Sequence, residues 1–489
     1  MTNNLPGARL IRPSFQAAGI YVFVISFACL YYLINAPLLL NHWDLGWHLA
    51  AGDLIREQGR VPFQDPWSFT SGGKQWFNLS WLWDVLASAI FQYANFTGLI
   101  VFVVACGAAI AAYLASLCLG SGASPLAVCI AVLSACLLYP AFAAAYPNIY
   151  LAVSPNISTM VFSVIFYGEC LKKRGGRFLL PAIMVLWANL HGGFLLGLII
   201  VGVFCAVALL RRDWGNFRTF VLVGAGCFLA TLINPLGWHI YEGLASVLGH
   251  FSQAYITEWW PFHRNIAIPG SIPGIVYILV FVALEVRYAR GACPIEARVL
   301  SWTFLFLGLY QFRYLSFFFL FSTVPFALHL DRLLPKRLND RGIQGSLLAA
   351  GVILACALPV IYLQMTPALG LPQILSERDI LNLQTHSAHA RLLNHWNYGG
   401  ILIFHTRGAI PVFIDGRAST AYPDDLLRDY FKLVQSEFDE TAWDAVLEKY
   451  KIDTLLWVKA HDELRRLLVG KKGWKEAYAG AYASIYVKP

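Results

Sequence analysis

Residues 42–84 read HWDLGWHLAAGDLIREQGRVPFQDPWSFTSGGKQWFNLSWLWD. Five carboxylates, six tryptophans and five glycines crowd into this stretch, and it follows directly on an apolar run from about Phe15 to Leu40. An α-helix needs roughly 20 apolar residues to cross a bilayer. The run before His42 is long enough, so the polar stretch becomes the first large loop beyond a first membrane span. Tryptophans at its start and end suit the depth at which aromatic belts form.

The rest of the chain agrees. Its 489 residues are 58% hydrophobic and 13% charged, about half the charged share of an ordinary globular domain. Apolar runs recur up to residue 364, whereas the chain from about Pro367 onward has ordinary polarity. The expected fold is a polytopic all-α membrane protein of about eleven transmembrane helices. Its spans fall near 18–40, 98–119, 126–146, 156–171, 178–190, 192–210, 217–234, 271–289, 298–312, 314–330 and 344–364. Residues 1–365 form the membrane core, with the first outer loop at 41–84. Residues 366–489 form a small extracytoplasmic α/β domain. No small-residue cleavage site follows a short apolar region, so the first span is read as retained.

A net charge of +8 does not imply nucleic acid. The basic residues gather in short stretches between apolar runs: Arg9 and Arg12, KKRGGR at 172–177, RRDWGNFR at 211–218, RYARGACPIEAR at 287–298 and DRLLPKRLNDR at 331–341. With Arg9 and Arg12 inside, every cluster falls on the cytoplasmic side of the thread, as the positive-inside rule requires. The ten cysteines lie in or beside apolar runs, without metal-type spacing, and read as small packing residues.

Polar segments then converge on the outer face: the 42–84 loop, AYPNIYLAVSPNIS near 145–158, WANLHGG at 187–193, the 234–270 loop and the C-terminal domain. The 178–190 run is too short to cross alone, and a broken hairpin of this kind is tolerated only against protein or a wet cavity. In the C-terminal domain GGILIFH, PVFIDGR, DTLLWVK and ASIYVKP read as strands, and the regions around 374–394, 425–449 and 461–470 as helices.

Asp44 is the sharpest candidate for chemistry. It lies just past the first span between Trp43 and Trp47, where a shielded carboxylate can act as a general base or hold a divalent metal ion; the alternative is a helix cap. Asp65 precedes Pro66 and suits a turn better than a ligand. Asp53 and Glu57, spaced i, i+4, read as the solvated face of an interfacial helix. His191 sits at the tip of a tight hairpin, where it satisfies either the backbone or a substrate. Arg313 is an anion contact or a snorkelling cation.

Taken together, the 42–84 stretch resembles the first outer loop of bacterial glycosyltransferases of the GT-C superfamily: an Asp after the first span, then Trp-His, Gly-x-x-Pro, Asp-Pro-x-Ser and Trp-Leu. LWANLHGGFLLG, LINPLG, TEWWP, Arg313, NYGGILIFH and VFIDGR extend the likeness over most of the chain. The resemblance implies transfer of a sugar from a polyprenyl-phosphate-linked donor to a glycan, lipid or protein acceptor at the outer face of a bacterial inner membrane, with membrane lipids as further partners. It makes Asp44 the catalytic residue. His48, Asp65, His191, Glu258, His263, Arg264, Arg313, Trp396 and Tyr398 become substrate-binding candidates. HWNYGG at 395–400 resembles the Trp-Trp-Asp-Tyr-Gly acceptor motif of oligosaccharyltransferases but has His395 and Asn397 where that motif has Trp and Asp. Likewise, Ser154 stands in SPNIS where relatives place a basic residue. Two alternatives remain: a non-catalytic binding or transport protein for lipid-linked glycans on the same fold, and an unrelated solute transporter, against which the lack of an inverted repeat counts.

Overall fold

The structure is a computed structural model describing residues 15–40, 42–145, 152–172, 176–265, 271–289, 291, 293–335, 341–365, 375, 377–387, 391–436, 439–458, 462–480 and 483–489. Arg9, Arg12, the YPNIYL part of the 145–158 segment and parts of the basic clusters lie outside the described residues. The chain divides into two compact units. One comprises 1–39, 97–234 and 256–369; the other comprises 40–96, 235–255 and 370–489.

The first unit is helical. Its described helices include Phe15–Ile34, Pro125–Ala145, Asn156–Leu171, Leu180–Leu190, Leu195–Leu210, Trp214–Ala230, Ser271–Arg287, Ile295–Tyr310 and Arg341–Met365. By length and composition, two helices among the described residues can cross a membrane, Trp81–Gly120 and Gly192–Leu210. A third span appears if Phe312–Phe321 and Thr323–Leu333, bent by 53°, are taken as one. Small residues mark the crossings. A side chain at Gly351 would strike the backbone of Phe23 at 2.7 Å, so glycine alone lets these helices meet, as is common where apolar helices pack without a water-driven force. The expected break after residue 190 is present: His191 is extended, and a short 3-10 turn at Gly192–Phe194 leads into the next helix.

The second unit unites the 42–84 loop with the polar C-terminal segment. Its core packs Trp47, Trp67 and Trp76 with Ile401, Leu402, Phe413, Leu427, Leu455 and Ile485. Strands β1 (Leu392–Asn394), β2 (Thr454–Val458), β3 (Lys475–Ala479) and β4 (Ala483–Val487) form one sheet in the order β1-β2-β4-β3. The β1/β2 pair is parallel and the other two pairs are antiparallel. β2 and β4 match the strands expected from DTLLWVK and ASIYVKP. Two other expectations are corrected. GGILIFH belongs to a helix, Trp396–Thr406, whose residues Tyr398–Ile403 are all buried; a short run buried all round carries no period that tells helix from strand. PVFIDGR stays outside the sheet and bonds instead to the first loop, with Val412 N–H donating to Trp67 O at 3.0 Å and Phe69 N–H to Val412 O at 3.1 Å. Asn394 holds it from the other side, accepting from Phe413 N–H and donating to Ile414 O, each at 2.8 Å.

The helix Leu45–Gln58 is the centre of this unit. On one face, Gly46 abuts the Trp396–Thr406 helix so closely that a Cβ would lie 2.3 Å from Gly400 O. On another, a Cβ on Gly52 would lie 2.0 Å from Asp84 O. His48, Gly52 and Arg56 thus meet Asp84, Ser88 and Gln92 of Trp81–Gly120, two rows at i, i+4 spacing. That second helix is broken at Asn95, whose φ is 51°, which sets residues 81–94 apart from the apolar stretch after it. Because Gly46 faces backbone rather than a yielding side chain, Gly46→Ala is expected to cost about 1–3 kcal/mol, the usual range for overpacking, read as a lower melting temperature of the purified protein.

Candidate active site

Asp44 stands at the start of the Leu45–Gln58 helix. Its carbonyl accepts from His48 N–H at 3.1 Å and its own N–H donates to His42 Nδ1 at 3.3 Å. Its carboxylate makes no capping hydrogen bond, so the capping alternative does not account for it. The carboxylate lies on Gly416: a Cβ there would fall 1.6 Å from Asp44 Oδ1. Asp415-Gly416-Arg417 therefore supplies a bare backbone position against which the partly buried acid rests. The atom in the way is the tip of a side chain, so Gly416→Ala is expected to displace the Asp44 carboxylate and leave the fold intact. An activity loss of about tenfold or more, of the size expected when a catalytic group is moved by ~1 Å, with little change in melting temperature, checks this.

One turn further along, buried His48 bonds through Nδ1 to Asp84 Oδ1 at 2.6 Å. Asp84 also accepts from Asn78 Nδ2 at 2.8 Å and from the Ser80 hydroxyl at 3.4 Å. Asp53 accepts from the Ser88 hydroxyl at 2.6 Å, and its side chain is 52% exposed, in line with an outward helix face.

The interior claims two of the expected binding residues. Asp65 has a side-chain exposure of 0% and pairs with Arg417 at 2.6 Å. It also accepts from Trp67 N–H at 3.0 Å and from the Ser68 hydroxyl, a turn stabilised by an aspartate. Arg417 meets Asp415 at 2.7 Å, and its guanidinium carbon lies 5.0 Å from the ring centres of both Trp67 and Trp76. Tyr422 donates to Asp415 Oδ2 at 2.6 Å. Burial, reinforced by the Asp415 carboxylate, pushes the Tyr422 phenol well above its ordinary range, so it remains a donor. Tyr398 is 1% exposed and serves the core. Trp396 is half-buried beside Tyr430 and Phe431, while His395 accepts from Asn397 N–H at 3.3 Å and caps its own helix.

In the helical unit, the other candidates form two groups. Arg313 pairs with Glu258 at 3.4 Å and lies 4.1 Å from the Trp259 ring centre. Phe312 N–H donates to Trp260 O at 2.9 Å, which ties the TEWWP segment to the helix break before Leu315. His263 and Arg264 are exposed, and Arg264 stands 5.9 Å from the Trp260 ring centre. His191 Nδ1 lies 2.7 Å from the Thr159 hydroxyl and accepts from Gly193 N–H at 3.3 Å. Trp187 donates to the same hydroxyl at 2.9 Å.

Among the described residues, no three His, Cys, Asp or Glu side chains gather into a metal-type group. Asp84, Gly416 and Arg417 carry much of this geometry, though the sequence does not mark them as site residues. The signal that could have found Asp84 is the matched spacing of 48, 52 and 56 with 84, 88 and 92.

No family model matches the sequence, and no curated protein does. Solved structures do. Archaeal oligosaccharyltransferase AglB from Archaeoglobus fulgidus, in complex with an inhibitory peptide and a dolichol-phosphate, aligns with a TM-score of 0.60 at 12% identity, over 93% of this chain and 71% of that one. ArnT from Cupriavidus metallidurans, bound to undecaprenyl phosphate, aligns with a TM-score of 0.52 at 13% identity, over 95% and 97% of the two chains. Both neighbours are glycosyltransferases of the GT-C superfamily, and this chain has their fold.

Proposed function

We propose that the protein is a membrane glycosyltransferase that moves a sugar from a polyprenyl-phosphate-linked donor to an envelope glycan, lipid or protein acceptor at the outer face of a bacterial inner membrane. The observation that carries this reading is the Asp44 carboxylate, which caps nothing and rests on Gly416. Support comes from the two similar folds, one solved with a dolichol-phosphate and the other with undecaprenyl phosphate.

In this reaction an acceptor oxygen or nitrogen attacks the anomeric carbon and yields its proton to Asp44. The bond from that carbon to the phosphate oxygen breaks, and its electron pair leaves on the phosphate. One carboxylate suffices for inversion, because the phosphate departs without an acid.

The test is direct. Purified protein, given a polyprenyl-phosphate sugar and cell-envelope acceptors, is expected to release polyprenyl phosphate and glycosylated acceptor. A protein that binds the donor and releases neither with any acceptor would support the binding or transport role instead. The topology is tested separately, since a reporter active only in the cytoplasm should stay silent when fused after Pro489.

A further inference from the structure

We propose that Tyr422 is a positioning residue for Asp44: its hydroxyl locks the Asp415 carboxylate, and with it the turn that presents the bare Gly416 backbone to the Asp44 side chain. The proposal rests on the glycosyl-transfer reading, in which Asp44 takes the acceptor's proton, and adds to it the group that keeps this acid in line.

The chain of contacts is short and lies within the second unit. Among the described residues the Asp44 carboxylate accepts no hydrogen bond. Its direction is set by packing against Gly416, where a Cβ would fall 1.6 Å from Oδ1. Gly416 is the apex of a turn closed by the preceding side chain, because Asp415 Oδ1 accepts from Arg417 N–H at 2.9 Å, the usual aspartate bond to a backbone two residues on. The other oxygen, Oδ2, accepts from the Tyr422 hydroxyl at 2.6 Å and from Arg417 Nη2 at 2.7 Å. The last torsion of an aspartate is broad by itself, so partners on both oxygens are what fix it.

The backbone adds an independent sign. Ala418, directly after the turn, has φ 50°, a left-handed conformation uncommon for a residue with a Cβ. Such conformations persist where the surroundings over-determine them, and they gather at functional sites. Here Tyr422 N–H donates to Ala418 O at 2.9 Å and the Thr420 hydroxyl to Arg417 O at 2.6 Å. The loop that carries Asp44 braces both ends of the segment, since the Thr70 hydroxyl donates to Phe413 O and the Ser71 hydroxyl to Ala421 O, each at 2.6 Å. Behind the turn stands the Trp396–Thr406 helix, so close that a Cβ on Gly399 would lie 2.2 Å from Ile414 O. With the ends braced, the tip of the turn is the part left for Tyr422 to hold.

A buried tyrosine, aspartate and arginine can also serve the fold alone, so the test separates rate from stability. Tyr422→Phe keeps the ring and leaves Asp415 paired with Arg417, and the protein should fold. Its kcat with a polyprenyl-phosphate sugar is expected to fall about tenfold, as when a catalytic group is slightly misplaced, with KM for the donor unchanged. Tyr450→Phe is the control: it removes a hydroxyl that donates to Asp429 Oδ2 at 2.7 Å, outside the turn, and should keep the wild-type kcat. On an Asp44→Asn background Tyr422→Phe should cost nothing further, because the two residues act as one unit. Hydrogen exchange of residues 412–422, which needs no acceptor, should quicken in Tyr422→Phe.

Quickened exchange with an unchanged kcat would assign the hydroxyl to the fold and overturn the proposal, while transfer by the wild type would stand. Loss of folded protein in Tyr422→Phe would overturn it in the same way. So would equal losses of kcat in Tyr422→Phe and Tyr450→Phe, or an undiminished loss on the Asp44→Asn background. A wild-type protein that transfers no sugar to any acceptor would remove the glycosyl-transfer reading itself, and the positioning role with it.

Discussion

Asp44→Asn protein is expected to fold like wild type and to transfer sugar about 10²-fold more slowly or worse. Asparagine preserves the shape that rests on Gly416, so packing in the unit is unchanged, while the negative charge and the basic lone pair are lost. General-base catalysis contributes typically 10²–10⁴-fold, and Asp44 forms no capping bond whose loss would confuse the result. Initial rates with a polyprenyl-phosphate sugar, measured beside melting curves, separate the two effects. Asp53→Asn is the internal control, because its carboxylate is half-exposed and exposed pairs are worth little. A wild-type rate in Asp44→Asn would remove Asp44 from the chemistry.

Arg417→Met is expected to have the largest effect on stability. Its guanidinium is the shared partner of Asp65 and Asp415, and the side chains of all three are 0% exposed. Removing one member of a buried pair strands an uncompensated charge at a cost of about 3–5 kcal/mol, and here two carboxylates would be stranded. Against a typical total stability of about 5–15 kcal/mol, little folded protein should be recovered. The triple variant Asp65→Asn, Asp415→Asn, Arg417→Met should regain much of the loss, since neutral amides need no counter-charge and coupled residues do not add. Equal yields from Arg417→Met and wild type would show that the two carboxylates find another partner.

The sequence by itself determined the helical, apolar character of the first unit and the polarity of the second, because burial in lipid or in water is written in composition and in the length of apolar runs. It singled out Asp44, the broken turn at His191 and the strands β2 and β4, each of which announces itself locally. The tertiary structure alone decided which carboxylates are spoken for. Asp65 and Asp84 look no different from Asp44 in the linear text, yet Asp65 pairs with an arginine 352 positions away and Asp84 meets a histidine 36 positions away. It also turned GGILIFH from strand to helix, since full burial erases the periodicity that distinguishes the two. The glycines show the same division. Gly46, Gly52 and Gly416 can be seen in the sequence, but the helix, backbone or carboxylate that each must admit is set by folding. Apolar pattern is a property of neighbours along the chain, whereas charge compensation and close approach belong to neighbours in space.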